Sequence, residues 1–221
     1  MLRNVKLGIP GLDERLGGIP DGSLLLIIGD AEAPFHLIAR QSLFNKALEG
    51  GKVVYVNIDE SKDDIVSEME SLHWVLRPLE VSGNWTFINC EARPERAFAF
   101  LETRFREVVS KGAWTCIDTF TSLLNLDRRR ALSLLSLMLK IVRSGGIHYL
   151  LVVKQFHEEE VLDRLKYMCD VVMEVELPRD IRRPLFLLRV PKIRRKPFSG
   201  LVVSFTVDER GVVIETLTRI L

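Results

Sequence analysis

The sequence predicts an α/β fold with a mostly parallel central sheet and antiparallel strands in the C-terminal part of the chain. Two observations carry this prediction. Between residues 23 and 153, short apolar runs alternate with amphipathic helical segments, and from residue 171 onward strand-like runs follow one another with only turns between them. Because 221 residues support one large core and no linker or repeat divides the chain, we expect a single domain over residues 1–221.

The predicted strands are apolar runs bounded by turn residues. The parallel set lies at 23–29, 52–58, 85–89, 115–117 and 147–153, and the antiparallel set at 171–177, 185–190, 201–207 and 212–215. Helical periodicity predicts helices at 37–49, 61–72, 95–111 and 129–144. Gly50-Gly51 and Gly145-Gly146 end the first and last of these helices, and Ser61 caps the second.

Composition narrows the classes of function. The net charge of +1 gives no global attraction to nucleic acid or membranes. No segment approaches the roughly 18–20 apolar residues of a membrane helix, and the N-terminal stretch lacks the features of a signal peptide, so we expect a cytoplasmic protein with no membrane partner. Three dispersed cysteines and four scattered histidines show no ligand spacing, so no metal site is predicted.

The segment after the first predicted strand stands where a nucleotide-phosphate loop, G-x-x-x-x-G-K-[ST], would lie. In that loop backbone N–H groups cradle phosphates, the lysine reaches the terminal phosphate, and the hydroxyl helps to hold Mg²⁺. Here proline, phenylalanine and histidine replace the second glycine, the lysine and the hydroxyl residue. The eight positions are Gly29, Asp30, Ala31, Glu32, Ala33, Pro34, Phe35 and His36.

These replacements predict that phosphate binding has been removed from the loop. Asp30 and Glu32 add negative charge, and a contact of two unit charges near 4 Å costs roughly 4 kcal/mol at an effective dielectric constant of about 20. Pro34 has no N–H to donate, and Phe35 carries no charge. We therefore expect no cofactor, with ATP and Mg²⁺ only under an alternative interpretation. An uncharged or cationic ligand, or a basic partner surface, would suit the acidic loop, and His36 could pair with Asp30 or Glu32.

Residues 7–23, LGIPGLDERLGGIPDGS, form a Gly/Pro-rich lead-in to the first predicted strand. This stretch is similar to the lead-in TGIPGLDELLGGGIPEGS of the KaiC-like group of RecA-type ATPases, with one glycine fewer, and the order of motifs resembles that group over nearly the whole chain. The resemblance implies a three-layer RecA-like P-loop NTPase fold. It also implies that Asp59 and Glu60 match the acidic pair whose glutamate activates water, and that Asp118 matches the Walker B aspartate that positions Mg²⁺. With the loop altered, these three residues are interpreted as vestigial catalytic positions.

A basic segment lies close to the C-terminal end. Residues 179–196 contain eight basic residues and one acidic residue. Within it, Lys192-Ile193-Arg194 resembles the family's K-x-R-G motif, which reaches a neighbouring subunit's ATP, but Arg195 replaces the glycine. Contact with a neighbouring subunit, including its acidic loop, and contact with nucleic-acid phosphates are both open for this segment. The candidate contact residues are Lys192, Arg194, Arg195 and Lys196.

The sequence thus predicts a KaiC/RecA-like protein that is not a competent ATPase. We expect an assembly or regulatory subunit, in DNA repair, recombination or signalling, that associates with itself or with an active paralogue. The alternatives are an ATPase with an unorthodox phosphate loop that uses Asp59, Glu60 and Asp118, and a DNA-binding module that uses the basic segment.

Overall fold

The computed structural model describes residues 3–178 and 185–215. Within these ranges the strands form a two-stranded antiparallel sheet and a nine-stranded sheet, and helices connect the strands. The strands are β1 Asn4–Val5, β2 Ile19–Pro20, β3 Ser23–Gly29, β4 Val53–Asn57, β5 Trp85–Asn89, β6 Trp114–Asp118, β7 Ile147–Val153, β8 Val171–Glu176, β9 Phe186–Ile193, β10 Leu201–Asp208 and β11 Gly211–Ile214. The α-helices are α1 Leu12–Leu16, α2 His36–Leu48, α3 Lys62–Ser71, α4 Arg77–Val81, α5 Glu95–Thr103, α6 Phe105–Ser110, α7 Phe120–Leu126, α8 Arg128–Ile141 and α9 Glu159–Met168.

The large sheet has the strand order β11-β10-β9-β8-β3-β7-β6-β4-β5. The six strands from β8 to β5 are parallel, and β8–β9, β9–β10 and β10–β11 are antiparallel pairs. This confirms the predicted fold class. Strand β8 joins the parallel and antiparallel parts of the sheet, because it is parallel to β3 on one edge and antiparallel to β9 on the other.

Helices cover both faces of the sheet. Successive side chains of a strand point to opposite faces, and β3 divides in this way: Leu25 and Ile27 pack with α2 in one apolar cluster, whereas Leu24, Leu26 and Ile28 pack with α5 to α9 in the other. A strand that is buried on both faces needs apolar residues at successive positions, and β3 has them at residues 24–28. The result is a three-layer α/β/α arrangement.

The lead-in before β3 is fixed by one buried carboxylate. Asp13 accepts hydrogen bonds from the backbone N–H groups of Leu7, Gly8 and Ile9 at 2.7, 2.8 and 3.0 Å. Burial raises the pKa of Asp13 above its ordinary value, although these three hydrogen bonds lower it. The glycine-rich lead-in is therefore a folded turn closed by Asp13, which directs the chain into β3.

The prediction of one continuous helix at 95–111 was wrong, because this segment forms two helices, α5 and α6. The break lies at Arg104, which has a φ of −116°, between α5 and α6. It places the buried Phe105 ring edge-on to His148, with 5.8 Å between the ring centroids. The sequence analysis also did not predict the short helices α1, α4 and α7, or the helix α9. None of the helices in the described ranges is long and apolar enough to cross a membrane.

Candidate functional site

The loop of residues 29–36 joins β3 to α2, and most of its backbone N–H groups donate hydrogen bonds to acceptors within the chain. Asp30 N–H donates to Val175 O at 3.1 Å, Ala33 N–H to Asp30 O at 2.9 Å and Phe35 N–H to Ala33 O at 2.8 Å. Ala31 N–H donates to the side-chain oxygen of Gln155 at 3.0 Å. A phosphate loop presents such groups to its ligand, whereas here four of them are satisfied within the chain.

Phe35, which the sequence analysis matched to the motif's lysine, forms part of the core. Its side chain is only 5% exposed and packs directly over Gly29, where a Cβ atom would collide with the ring. Helix α2 begins at the next residue, His36. The space in which a lysine would extend along the loop is therefore filled by an aromatic ring.

The two acidic residues of the loop have different surroundings. Asp30 accepts hydrogen bonds from Leu177 N–H at 3.1 Å and from the side-chain amide of Gln155 at 3.4 Å. Glu32 is exposed. Asp30 thus connects the loop to the segment that follows β8, and Glu32 is the acidic group that the loop presents to solvent.

The sequence analysis considered a pair between His36 and Asp30 or Glu32, but His36 pairs with neither of them. Its Nε2 lies 3.0 Å from the carboxylate of Glu68 on helix α3. Burial alone would raise the pKa of Glu68, but the hydrogen bonds and charges of His36 and Arg40 outweigh burial and hold that pKa below its ordinary value. His36 therefore connects α2 to α3 instead of neutralising the loop.

Arg40, which the sequence analysis missed, is the central charged group of the site. It lies one turn into α2 and its side chain is fully buried. Its guanidinium donates to the hydroxyl of Tyr55 and to the carboxylate of Asp118, both at 2.9 Å. It also forms ion pairs with Glu60 and Glu68. Arg40 thus contacts both Asp118 and Glu60, which the sequence analysis matched to the Walker B aspartate and to the glutamate of the acidic pair.

The environment of Arg40 maintains its charge. Burial would lower the pKa of the guanidinium, but Tyr55 and the three carboxylates raise it well above its ordinary value. Tyr55 donates its hydroxyl hydrogen to Asp118, and burial raises the pKa of that hydroxyl well above its ordinary value. The signal in the sequence that could have identified Arg40 is its place in the largely apolar stretch LIARQSLF, residues 37–44, since an arginine within such a stretch is rarely buried unless it is paired.

Next to this network lies a cavity of about 450 Å³ at the carboxyl ends of the parallel strands. Asp59 contributes to its wall and accepts hydrogen bonds from the hydroxyls of Thr119 and Ser122. The structure thus brings together the three predicted carboxylates with the loop's last two residues. The cavity is lined by Phe35, His36, Asp59, Glu60, Asp118, Thr119, Thr121, Ser122, Asn125, Val153 and Phe156.

The cavity offers acidic and aromatic groups. Its lining includes three carboxylates, two phenylalanines and several hydroxyl or amide groups, and it includes neither lysine nor arginine. Within residues 3–178 and 185–215, no cluster of three or more His, Cys, Asp or Glu side chains has the arrangement needed to hold a metal ion.

The predicted basic segment binds its own chain. Lys192 donates to the carbonyls of Lys166 and Tyr167 at 2.6 and 2.9 Å, and Arg194 also donates to Tyr167 O. These carbonyls lie in the last turn of α9, where cations complement the helix dipole. Lys192 and Arg194 therefore cap α9.

The next two cations of the segment also bind backbone carbonyls. Arg195 donates to Gly22 O at 2.8 Å, and Lys196 binds the carbonyls after α1, including Gly18 O at 3.0 Å. Contact of this segment with a neighbour or with nucleic acid stays a prediction. Arg179, Arg182 and Arg183 lie outside the described residues.

Comparison with solved structures identifies the same fold in archaeal proteins. A KaiC-like protein from Pyrococcus horikoshii OT3 matches with a TM-score of 0.81 at 23% identity, over 98% of this chain and 100% of that chain. The flagellar accessory protein FlaH from Methanocaldococcus jannaschii matches with a TM-score of 0.77 at 19% identity, again over 98% and 100% of the two chains. At these identities the likeness establishes the fold alone.

Sequence relatives and a family model identify the family. A UPF0273 protein of Thermotoga maritima is 32% identical over 90 residues, which are 40% of this chain and 37% of that protein. The circadian clock protein KaiC3 of Synechocystis is 29% identical over 94 residues, 42% of this chain and 19% of that protein. Each match thus spans well under half of the relative's length. The family model "ATPase: KaiC" matches residues 5–219, and the chain therefore belongs to the KaiC ATPase family.

Proposed function

We propose that this chain is a KaiC-family protein that does not hydrolyse ATP and serves as an assembly or regulatory subunit. The observation that carries the proposal is the buried Arg40 guanidinium, which is hydrogen-bonded to Asp118 and paired with Glu60. In the family's pattern these two carboxylates would position Mg²⁺ and the attacking water. Here a permanent cation is bound to both of them.

The residues of the site do not fit a magnesium nucleotide. A magnesium ion near Asp118 would be repelled by the guanidinium that already binds this carboxylate. The hydroxyl that would complete the metal site is replaced by His36, whose Nε2 bonds to Glu68. No step of phosphate chemistry is therefore assigned to these residues.

The phosphate side of the site supports the same proposal. The loop lacks the lysine and the second glycine, and four of its N–H groups have acceptors within the chain. The exposed Glu32 would repel a triphosphate. A subunit of this kind works through contacts with other subunits, either copies of itself or an active KaiC-family relative, and DNA repair, recombination and signalling are the settings that we propose for it.

Thermal unfolding with and without millimolar MgATP tests the loss of nucleotide binding. A ligand at 100 times its dissociation constant stabilises a protein by about 2.7 kcal/mol, so we expect no shift for this chain and a clear shift for a KaiC-family relative with an intact G-x-x-x-x-G-K-[ST] loop. Phosphate release is measured on the same samples. Stabilisation together with phosphate release that Glu60→Gln abolishes would contradict the proposal and establish the alternative, an ATPase with an unorthodox loop.

Sedimentation velocity tests the role in assembly. If the acidic loop contacts a basic surface of a second copy, Glu32→Lys weakens self-association, because Glu32 is the loop carboxylate that faces solvent. Glu91→Lys, which makes the same charge change at another exposed site, is the matched control. Equal sedimentation of the wild type and both variants would contradict self-association through the loop, and co-purification with an active relative would then test the remaining form of the proposal.

A further inference from the structure

A second groove lies on the outer surface of the protein, between helices α8 and α9. Its volume is about 520 Å³, and it is lined by Arg128, Arg129, Leu132, Ser133, Ser136 and Arg164. We infer that this groove, here called the arginine groove, binds a short acidic segment of a partner protein. The inference does not depend on the proposed loss of ATP hydrolysis.

The three consecutive arginines at the start of α8 have different roles. Arg130 forms a two-pronged pair with Glu102, with both N–O distances 2.7 Å, and its guanidinium lies 4.4 Å from the centre of the Phe98 ring. Arg130 is thus bound within the fold. Arg128 has one distant carboxylate, Glu158 at 3.9 Å, and for Arg129 the described part of the chain contains no carboxylate within ion-pair distance.

Arg164 adds a third guanidinium from the opposite wall. It is exposed on α9, and among the described residues it too has no ion-pair partner. Arg128 and Arg129 lie in the first turn of α8, where the helix dipole disfavours cations, and the cap Asp127 offsets this only in part. Positive charge from two helices therefore converges on one groove, in which Arg128 has one distant carboxylate and Arg129 and Arg164 form no ion pair with another described residue. Guanidinium groups arranged in this way are complementary to an anion.

The surroundings of the groove favour a short ligand over a nucleic acid. Exposed acidic residues lie close in sequence to Arg164: Glu158 at the N-cap of α9, and Glu159, Glu160 and Asp163 within α9. A long phosphate backbone that crosses the groove would meet this negative charge, whereas a short segment can stay within the groove and does not extend along α9. The net charge of +1 also gives the chain no global attraction to nucleic acid.

The floor of the groove indicates the form of the ligand. Leu132, Ser133 and Ser136 lie on one face of α8 between the arginines, so an apolar side chain and backbone amides of a peptide find partners there. From Arg128 to Ser136 the helix rises by about 12 Å, which corresponds to about four residues of extended chain. The matching partner segment has acidic residues on both sides of one apolar residue.

Fluorescence anisotropy with a fluorescein-labelled peptide of sequence Asp-Glu-Leu-Glu-Asp tests the inference. At about 100 mM salt we expect saturable binding by the wild type and at least roughly tenfold weaker binding by the double variant Arg129→Glu/Arg164→Glu. The matched control is Arg77→Glu/Arg210→Glu, which makes the same charge change at two exposed arginines away from the groove. Circular dichroism confirms that both variants are folded.

Each remaining outcome overturns the inference. Absence of saturable binding by the wild type excludes the site. An equal loss of affinity in both double variants shows general charge attraction instead of a groove. Equally tight binding of the neutral peptide Asn-Gln-Leu-Gln-Asn removes the acidic requirement, and tighter binding of a 30-base single-stranded DNA that depends on Arg129 and Arg164 assigns the groove to nucleic acid.

Discussion

Replacing Arg40 by methionine is the most informative perturbation of the buried charge network. Methionine has a similar length and keeps the apolar stem in place, so the substitution mainly removes the guanidinium. Arg40 is fully buried, and its partners differ in exposure: the side chains of Glu60 and Glu68 are 46% and 36% exposed, whereas that of Asp118 is 6% exposed. The two glutamates can regain water, and Asp118 cannot.

The expected cost follows from this difference. Removing one partner of a buried ion pair leaves an uncompensated charge and destabilises a protein by about 3–5 kcal/mol. Because Asp118 is the only one of the three carboxylates that stays buried, and Tyr55 still donates to it, we expect a value near the lower end, about 3 kcal/mol. For a domain of this length, that corresponds to a decrease in Tm of roughly 10 °C.

Urea unfolding at pH 7, followed by circular dichroism, measures this loss. Asp118→Asn in the Arg40→Met background removes the uncompensated charge, so the double variant recovers part of the stability, and the double-mutant cycle gives a coupling energy of about 2 kcal/mol. Arg77→Met is the control, because Arg77 is exposed and surface substitutions usually stay within about 0.5 kcal/mol. A loss below about 1 kcal/mol for Arg40→Met, or a double variant with purely additive losses, would refute the reasoning.

Three further substitutions test other parts of the fold by the same unfolding measurement. Phe35→Ala removes a buried ring and is expected to cost about 3–5 kcal/mol, against less than about 0.5 for the exposed Phe156→Ala; equal values would show that Phe35 is not part of the core. Burial lowers the pKa of His148 to about 4, so the unfolded chain takes up its proton first as the pH falls below 6.5, and the stability advantage of the wild type over His148→Gln shrinks by roughly 2 kcal/mol between pH 7 and 4.5; a constant difference contradicts this. Asp13→Ala leaves three N–H groups without their acceptor and is expected to cost about 2–4 kcal/mol, whereas Glu14→Ala, the exposed neighbour, is expected to be near neutral; similar losses would show that the lead-in does not depend on the carboxylate.

Most of the sheet could be predicted from the sequence because its strands are buried on both faces. The continuous apolar run of β3 and the turn residues around β4 and β5 leave few other structures open. The short helices could not be predicted in this way. α7 has only seven residues, and fewer than two turns are too short to show a helical period. The break at Arg104 interrupts a spacing of apolar residues that is compatible with one continuous helix, so the spacing does not predict it.

The candidate site was only partly accessible to sequence reasoning. Asp59 and Glu60 follow β4 and Asp118 is the last residue of β6. The carboxyl ends of parallel strands meet at one edge of the sheet, so the proximity of these residues follows from the topology. The topology does not predict which partners the individual side chains contact. Asp30 bonds to Leu177 N–H and His36 to Glu68, and both contacts join residues far apart in the chain whose approach depends on the packing of other elements.

Arg40 also gives the buried carboxylate of Asp118 a counter-charge that comes from the chain itself. A buried carboxylate such as Asp118 is costly unless a cation accompanies it. In the family's pattern, Mg²⁺ and the loop lysine supply positive charge beside it, and the sequence analysis matched Phe35 to that lysine. Arg40, five residues after Phe35 and within helix α2, supplies a permanent positive charge and hydrogen-bonds to Asp118 at 2.9 Å. If the chain no longer uses ATP, as proposed, these carboxylates hold Arg40 in place, and the fold has the counter-charge that it needs in the absence of any ligand.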